Sequence, residues 1–201
     1  MLEAVRSIAV VSGAKMVTLE GVYLPVDRRE QVNLNVPGAT SMRIFSPELY
    51  GEGASNTIIH YALRKIVQAK PVKQLIDPSV RRDYLYVDDA TRYVLELVSM
   101  ETAFRSDWRL RGSGLISQAE LLDLTGSVVQ AAPRFEPIGG WQQRLLQWYE
   151  PTAKNMLDCY EWLGEDIGTY GTEYSGVSPT SYKEGIASTI KSLMAKHNSG
   201  Y

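Results

Sequence analysis

The chain has 201 residues, of which 44% are hydrophobic and 22% are charged, and its formal net charge is -2. This composition is typical of a globular protein with one domain, or with one large domain and an appendage. The absence of a basic run excludes a nucleic-acid-binding surface, and no apolar stretch approaches the roughly 18 residues that predict a transmembrane helix. A single cysteine and two histidines exclude an internal disulfide and a His/Cys metal site, so we expect a reducing, cytoplasmic location.

The first half of the chain alternates between helices and strands. Apolar spacing and turn residues predict, in chain order, a helix, a strand, a loop, a second strand and an amphipathic helix at residues 2–11, 15–19, 24–40, 41–45 and 57–70. Ser55 or Asn56 is the expected N-cap of the last helix, and Pro71 lies just beyond its end.

The second half continues this alternation. The same signals predict a strand, a helix, a strand and three further helices at residues 84–87, 89–99, 108–111, 117–130, 152–163 and 181–196. Ser117 and Glu120 form the pattern of a capping box. Asp88 and Asp89 are expected to be the cap and first-turn carboxylates of their helix, where the helix dipole favours negative charge. The alternation as a whole predicts an α/β layer architecture.

Several segments of the chain resemble one family in order and spacing. They are RIFSPELYGEG, AKPV, RRDYLYVDDATRYV, RLRGSGLISQAELLDL and SPTSYKEGIASTIKSLM, at residues 43–53, 69–72, 81–94, 109–124 and 178–194. Together they are similar to the extended short-chain dehydrogenase/reductases, which include the nucleotide-sugar epimerases, 4,6-dehydratases and reductases. The resemblance covers roughly residues 40–195, and residues 1–23 resemble the same family more raggedly.

The resemblance implies an α/β fold in two parts. A remnant of a Rossmann-like parallel sheet is expected in residues 1–53, and the smaller, mostly helical substrate-binding lobe in residues 54–201. The family implies NAD or NADP as the cofactor. However, no Gly-x-x-Gly-x-x-Gly lies between a strand and a helix, so nothing is expected to cradle a dinucleotide pyrophosphate. We therefore expect a truncated or reduced form in which the N-terminal cofactor-binding half is missing.

Three residues stand where the family contacts its substrate. Arg82 holds the place of an arginine that binds the nucleotide diphosphate, and its planar fork suits phosphate oxygens. The alternative is a surface arginine paired with a helix carboxylate. The family usually has a substrate-binding asparagine shortly after Arg43, but residues 45–48 stand there in this chain with an apparent two-residue insertion, and Ser46 is the candidate among them. Arg43 is either a substrate contact or a brace for the strand end. Since side chains alternate along an extended segment, Arg81 is expected to point away from Arg82.

The catalytic residues of the family are matched only in part. In the family a tyrosine takes a proton from a sugar hydroxyl, a lysine stabilises its phenolate, and a Ser or Thr hydroxyl bridges to the substrate. Leu19 falls where that hydroxyl is expected, and Thr18 is one residue away, which in a strand is the opposite face. Tyr61 and Lys65 spell the Tyr-x-x-x-Lys pair at a later place, either by chance or as an acid/base pair.

Three functions are compatible with this sequence. The first is an NAD(P)-dependent nucleotide-sugar epimerase/dehydratase in reduced form. The second is a non-catalytic descendant that binds a nucleotide sugar or a protein. The third is the C-terminal part of a split enzyme, which needs an N-terminal partner chain. If the missing half leaves an apolar sheet face bare, a homo-oligomer is one way to cover it.

Overall fold

The computed structural model describes residues 15–21, 40–54, 57–74, 78–104, 106–130, 134–142, 145 and 171–198. The helices predicted at 2–11 and 152–163, and almost all of the loop predicted at 24–40, lie outside the described residues.

Strands and helices alternate through the described part. Its strands are β1 (Lys15–Gly21), β2 (Thr40–Ser46), β3 (Glu48–Tyr50), β4 (Val72–Gln74), β5 (Arg81–Arg82), β6 (Tyr84–Tyr86), β7 (Asp107–Arg109), β8 (Ile116–Ser117), β9 (Phe135–Pro137) and β10 (Thr172–Glu173). Its helices are α1 (Ile58–Val67), α2 (Val87–Ser99), α3 (Gln118–Val129) and α4 (Tyr182–Asn198), with a short 3-10 turn at Glu101–Ala103.

The main sheet is parallel, with the strand order β1-β2-β7-β10. Val17 of β1 lies beside Met42 of β2, and Ile44 of β2 lies beside Trp108 of β7. The predicted α/β fold with a parallel sheet is therefore confirmed. β7 and β10 come from beyond residue 53, so the sheet draws strands from both predicted parts, and the division at residue 53 stays a prediction.

Three smaller strand pairs surround this sheet. β3 pairs with β6 and β4 with β9 in parallel, whereas β5 pairs with β8 in antiparallel. All three residues of β6 are buried: Tyr84 and Tyr86 point into one core cluster and Leu85 into another. The aromatic strand is thus covered on both faces, as parallel strands usually are.

Two large core clusters fill the structure. The first joins β3 and β6 to α1, α3 and α4, and its buried residues are Tyr50, Ile59, Leu63, Tyr84, Tyr86, Ile116, Leu121, Ile186 and Ile190. The second joins the main sheet to α2, and its buried residues are Met42, Ile44, Leu85, Ala90, Tyr93, Leu97, Ala103, Phe104, Leu110 and Val177. Each fully buried Leu or Ile stabilises the fold by about 1.5–3 kcal/mol.

Three described helices, α1, α3 and α4, begin with side-chain caps that favour a helical start. In α3 the Ser117 hydroxyl accepts from the Glu120 N–H, and the Glu120 carboxylate accepts from the Ser117 N–H, so the predicted capping box is confirmed. In α1 the cap is Thr57, whose hydroxyl oxygen accepts from the His60 N–H at 3.1 Å. The prediction of Ser55 or Asn56 was one or two residues early.

The start of α2 differs from the prediction. Its N-cap is Tyr86, without a side-chain cap bond, so neither Asp88 nor Asp89 is the cap. Asp89 is fully buried, and its two oxygens accept from the N–H and the hydroxyl of Thr180 at 2.6 and 2.8 Å. Arg92, one turn later in α2, also donates to Asp89. The carboxylate therefore fastens α2 to the segment that leads into α4.

Candidate functional site

Ser46 and Arg82 lie just before the paired strands β3 and β6, at the same end of that pair. The pairing begins with Glu48 beside Tyr84, and Ser46 and Arg82 each lie two residues before these partners. Ser46 is also the last residue of β2, so both residues lie beside the carboxyl end of this strand of the main sheet. In open α/β sheets, ligands bind at the carboxyl ends of the strands. This region, formed by Ser46, Arg82 and the residues attached to them, is here called the carboxyl-edge site.

The loop after β7 joins the carboxyl-edge site through one carboxylate. The N–H of Leu110 donates to the carbonyl of Phe45 at 2.8 Å, which keeps the loop beside the end of β2. Asp83 then accepts from the N–H of Gly112 at 2.8 Å and from the N–H of Gly114 at 3.3 Å. Burial raises the pKa of Asp83 above its ordinary value, although these hydrogen bonds act in the opposite direction.

A tyrosine hydroxyl connects α4 to the same carboxylate. The hydroxyl oxygen of Tyr182 lies 3.1 Å from Oδ1 of Asp83 and 2.6 Å from the carbonyl oxygen of Gly114. It also accepts from the N–H of Tyr84 at 3.1 Å. The ring of Tyr182 packs near that of Tyr50, with 6.1 Å between the centroids. Burial raises the pKa of Tyr182, so its proton is held firmly.

The two arginines of β5 point in opposite directions. Arg81 is exposed, and it donates to the Glu120 carboxylate and to the carbonyl of Leu115, both at 2.9 Å. Arg82 has only 1% of its surface exposed. Arg82 is therefore not a surface residue, and the ion pair with the carboxylate of Glu120 on α3 is made by Arg81. The role of Arg82 as a diphosphate contact stays a prediction.

Arg43, Ser46 and Thr18 lie in the main sheet. Nε of Arg43 donates to Oδ1 of Asp107 at 2.9 Å, and Nη2 donates to Oδ2, so this guanidinium braces β2 against β7. Thr18 lies beside Arg43 in the register of β1 and β2. Ser46 is 3% exposed, and its hydroxyl donates to the carbonyl of Pro47 at 3.0 Å. Their catalytic or substrate-binding roles stay predictions.

Tyr61 and Lys65 are neighbours on α1. Nζ of Lys65 lies 5.5 Å from the ring centroid of Tyr61, and the Tyr61 hydroxyl accepts from the N–H of Lys73 at 3.4 Å. Tyr61 packs against a small core cluster of Ala62, Val72 and Leu122. Because α1 packs mainly against α3, α4 and β4, this pair lies in a different part of the fold from Thr18 of β1.

Comparison with known proteins supports the resemblance seen in the sequence. Residues 26–106 match the family model described as "NAD dependent epimerase/dehydratase family". The resemblance to this family is confirmed. A comparison with curated proteins gave no match.

Solved structures of such enzymes share the fold. UDP-glucuronic acid 4-epimerase from Bacillus cereus, solved with UDP-glucuronic acid and NAD, has a TM-score of 0.64 at 13% identity, over 97% of this chain and 65% of that chain. dTDP-glucose 4,6-dehydratase from Bacillus anthracis, solved with NAD, has a TM-score of 0.62 at 11% identity, over 98% and 67%. A partial consensus L-threonine 3-dehydrogenase has a TM-score of 0.63 at 13% identity, over 96% and 71%. At such identities the likeness shows the Rossmann-like fold alone, and this chain spans less than two thirds of the epimerase.

Replacing Tyr61 with Phe tests the acid/base interpretation. The only group removed is a hydroxyl whose hydrogen bond is long and exposed, so we expect the free energy of unfolding to change by at most about 0.5 kcal/mol. We also expect no selective loss of any turnover that the parent protein shows. Urea denaturation and turnover of nucleotide sugars are the measurements. Tyr174→Phe, which removes a partly buried hydroxyl that donates to Glu96 at 2.8 Å, is the comparison and should lose more stability than Tyr61→Phe. A stable Tyr61→Phe protein that has lost turnover would establish the acid/base pair.

The described helix N-termini do not fit the pyrophosphate of NAD(P). A pyrophosphate binds open backbone N–H groups at the start of a helix. Side chains cap these groups at the start of three helices: Thr57 in α1, Ser117 and Glu120 in α3, and Ser181 and Glu184 in α4. In α2 no side chain caps the first turn, but that turn carries the carboxylates Asp88 and Asp89, which disfavour an anion there. The glycine loop after β7 is also occupied, since Asp83 accepts from Gly112 and Gly114. The described residues therefore supply no dinucleotide cradle.

In the part of the chain that the structure describes, no group of three or more His, Cys, Asp or Glu side chains could hold a metal ion. No helix of that part is long and apolar enough to cross a membrane.

The sequence did not single out Asp83 and Tyr182 as residues of the carboxyl-edge site. Both were present only as letters of longer motifs. The usable signal was the pair Gly112 and Gly114 directly after a strand, since such a loop exposes backbone N–H groups that bind a carboxylate. The sequence offered no means of choosing Asp83 as that carboxylate.

Proposed function

We propose that this chain provides the nucleotide-sugar side of an epimerase/dehydratase-type site and does not hold NAD(P) by itself. The observation that carries the proposal is the carboxyl-edge site, where Ser46, Arg82 and the glycine loop held by Asp83 converge. This edge is where α/β sheets bind ligands. The Bacillus cereus epimerase, which shares the fold, is solved with UDP-glucuronic acid, and this supports the choice of ligand class.

Arg82 is the proposed cation for the diphosphate. Its guanidinium stays charged at every relevant pH, and its fork matches two phosphate oxygens. Because only 1% of Arg82 is exposed, a phosphate that reaches it becomes buried with it. Charge-assisted hydrogen bonds are strong in such surroundings, about 1.5–3 kcal/mol each. Ser46 is proposed to lie beside the bound nucleotide sugar at the end of β2.

The cofactor side of the reaction is proposed to lie outside the described residues. A nicotinamide cofactor supplies hydride transfer when it is bound. The described helix N-termini do not fit its pyrophosphate, so no redox step is assigned to them. Two alternatives follow: a non-catalytic protein that binds nucleotide sugars, or one part of an enzyme whose other chain holds the cofactor. NAD-dependent turnover that appears only after a second chain is added would select the latter.

Calorimetric titration tests the proposal directly. We expect UDP-glucose, UDP-glucuronic acid or dTDP-glucose to bind, and NAD not to bind in the micromolar range. Arg82→Ala should weaken nucleotide-sugar binding about 10- to 100-fold, as expected from the loss of one charge-assisted contact. Arg82→Lys should recover only part of the loss, because the charge remains and the fork is lost.

Arg81→Ala is the matched control, since it removes the same group from the exposed neighbour. We expect this variant to bind nucleotide sugars like the parent protein. Circular dichroism must show that each titrated variant is folded, because Arg82 is buried. Equal weakening in both variants, or no nucleotide-sugar binding by the parent, would reject the proposed site. Micromolar NAD binding would reject the cofactor part.

A further inference from the structure

The hydroxyl of Tyr182 has more acceptors around it than it has protons. The N–H of Tyr84 donates to it at 3.1 Å, which uses one lone pair. Its single proton then has two acceptors, the Gly114 carbonyl at 2.6 Å and Oδ1 of Asp83 at 3.1 Å. The shorter distance places the proton on the bond to Gly114. If Asp83 were ionised, the remaining contact would bring two oxygens together without a proton between them.

We propose that the Asp83 carboxyl, while it is protonated, donates its proton to the Tyr182 hydroxyl, which in turn donates to the Gly114 carbonyl, and that the folded protein holds this proton at a higher pH than an ordinary aspartate does. This chain of two hydrogen bonds fastens α4 to the glycine loop of the carboxyl-edge site. The other oxygen of Asp83 still accepts from the N–H of Gly112 at 2.8 Å, and Oδ1 keeps its longer contact with the N–H of Gly114 at 3.3 Å. Every contact of the Tyr182 hydroxyl then has one donor and one acceptor. The inference concerns the folded chain itself and does not depend on any ligand.

The charges around Asp83 agree with a bound proton. Among the described residues, the titratable and charged groups that face it or adjoin it include Arg82 and Tyr84 beside it in the chain, Arg111 in the loop, Tyr182 on α4, Tyr93 on α2 and Tyr50 on β3. Burial is the largest influence and raises the pKa of Asp83, whereas Arg111 lowers it. The Arg111 side chain is 60% exposed, so water screens its charge. Arg82 adjoins Asp83 in an extended segment, where neighbouring side chains point to opposite sides.

The proposal predicts the direction in which the stability of the folded protein changes with pH. The pKa of Asp83 is raised in the folded state above its unfolded value, so folding takes up a proton at this group. Its contribution to stability is full below the unfolded pKa and is lost as pH rises through the folded pKa. Asparagine keeps a donor and an acceptor at all pH values, so Asp83→Asn removes this dependence.

Thermal unfolding of the parent and of Asp83→Asn between pH 4 and pH 8 tests the proposal. We expect the Tm of the variant, relative to that of the parent, to rise by about 2–5 °C across this range. Asp123→Asn, which changes an exposed carboxylate of α3, should show no such rise. A Tm difference for Asp83→Asn that is constant or falls with pH would overturn the proposal.

A second measurement covers the case in which Asp83→Asn does not fold. Carbon-13 NMR of the parent protein follows the Asp83 carboxyl carbon directly as pH changes. We expect its midpoint to lie above the ordinary aspartate value of about 3.9. A midpoint at or below that value would show that the folded protein does not hold the proton more firmly than the unfolded chain, and it would overturn the proposal.

Discussion

Gly112→Ala is expected to lower the free energy of unfolding by about 3–5 kcal/mol. A Cβ at this position would lie 2.0 Å from the carbonyl oxygen of Tyr84 and 2.6 Å from Oδ1 of Asp83. The first of these atoms belongs to the backbone of the buried strand β6, which cannot give way easily. The loop must instead move out, and the hydrogen bond from the Gly112 N–H to Asp83 is lost with the carboxyl still buried.

Urea denaturation followed by circular dichroism measures this loss. Gly140→Ala is the matched control, because a Cβ there meets no atom within 4 Å. We expect the control to change stability by at most about 0.5 kcal/mol. A Gly112→Ala protein as stable as this control would show that the loop after β7 is not held against β6.

Asp89→Ala is expected to cost a similar amount, about 3–5 kcal/mol. The carboxylate is 0% exposed and accepts from both the N–H and the hydroxyl of Thr180. Alanine leaves both donors unpaired at the junction between α2 and the start of α4, and it removes the partner of Arg92. The midpoint of urea denaturation is the measurement.

Asp88→Ala is the control for this substitution. Asp88 is exposed in the same first turn, so its removal loses a weak interaction with the helix dipole and a contact with the Tyr86 hydroxyl, together about 1 kcal/mol. A loss of stability as small in Asp89→Ala as in Asp88→Ala would show that the bonds to Thr180 do not hold α4 in place.

Local patterns predicted the regular elements of the described part. Ile59, Ala62 and Leu63 recur at helical spacing on α1, and all three are buried. The alternation of an extended segment correctly separated the exposed Arg81 from the buried Arg82. These features depend on neighbours within a few residues, so the sequence alone contains the information that determines them.

Contacts between distant residues were the ones that the sequence did not reveal. Asp89 had the features of a helix start, yet its oxygens bind Thr180, 91 residues further along the chain. Tyr182 likewise meets Asp83 across 99 residues. Helix propensity and residue spacing describe a segment in isolation. In the folded protein, a polar side chain that several elements enclose forms its hydrogen bonds with partners on other elements. The role of Arg82 was open for the same reason, because its burial depends on elements other than its own.

The place of α4 in the first core cluster has a consequence for synthesis of the protein. Ile186 and Ile190 complete a cluster whose other members come from residues 50–121, and Tyr182 meets Tyr84 across 98 residues. At roughly 5–20 residues per second, the ribosome needs about 5–20 s to make the chain between those two tyrosines. During that time the tyrosine-rich face of β3 and β6 has no helix α4 to cover it. The first core cluster can therefore be completed only after residue 190 has left the ribosome.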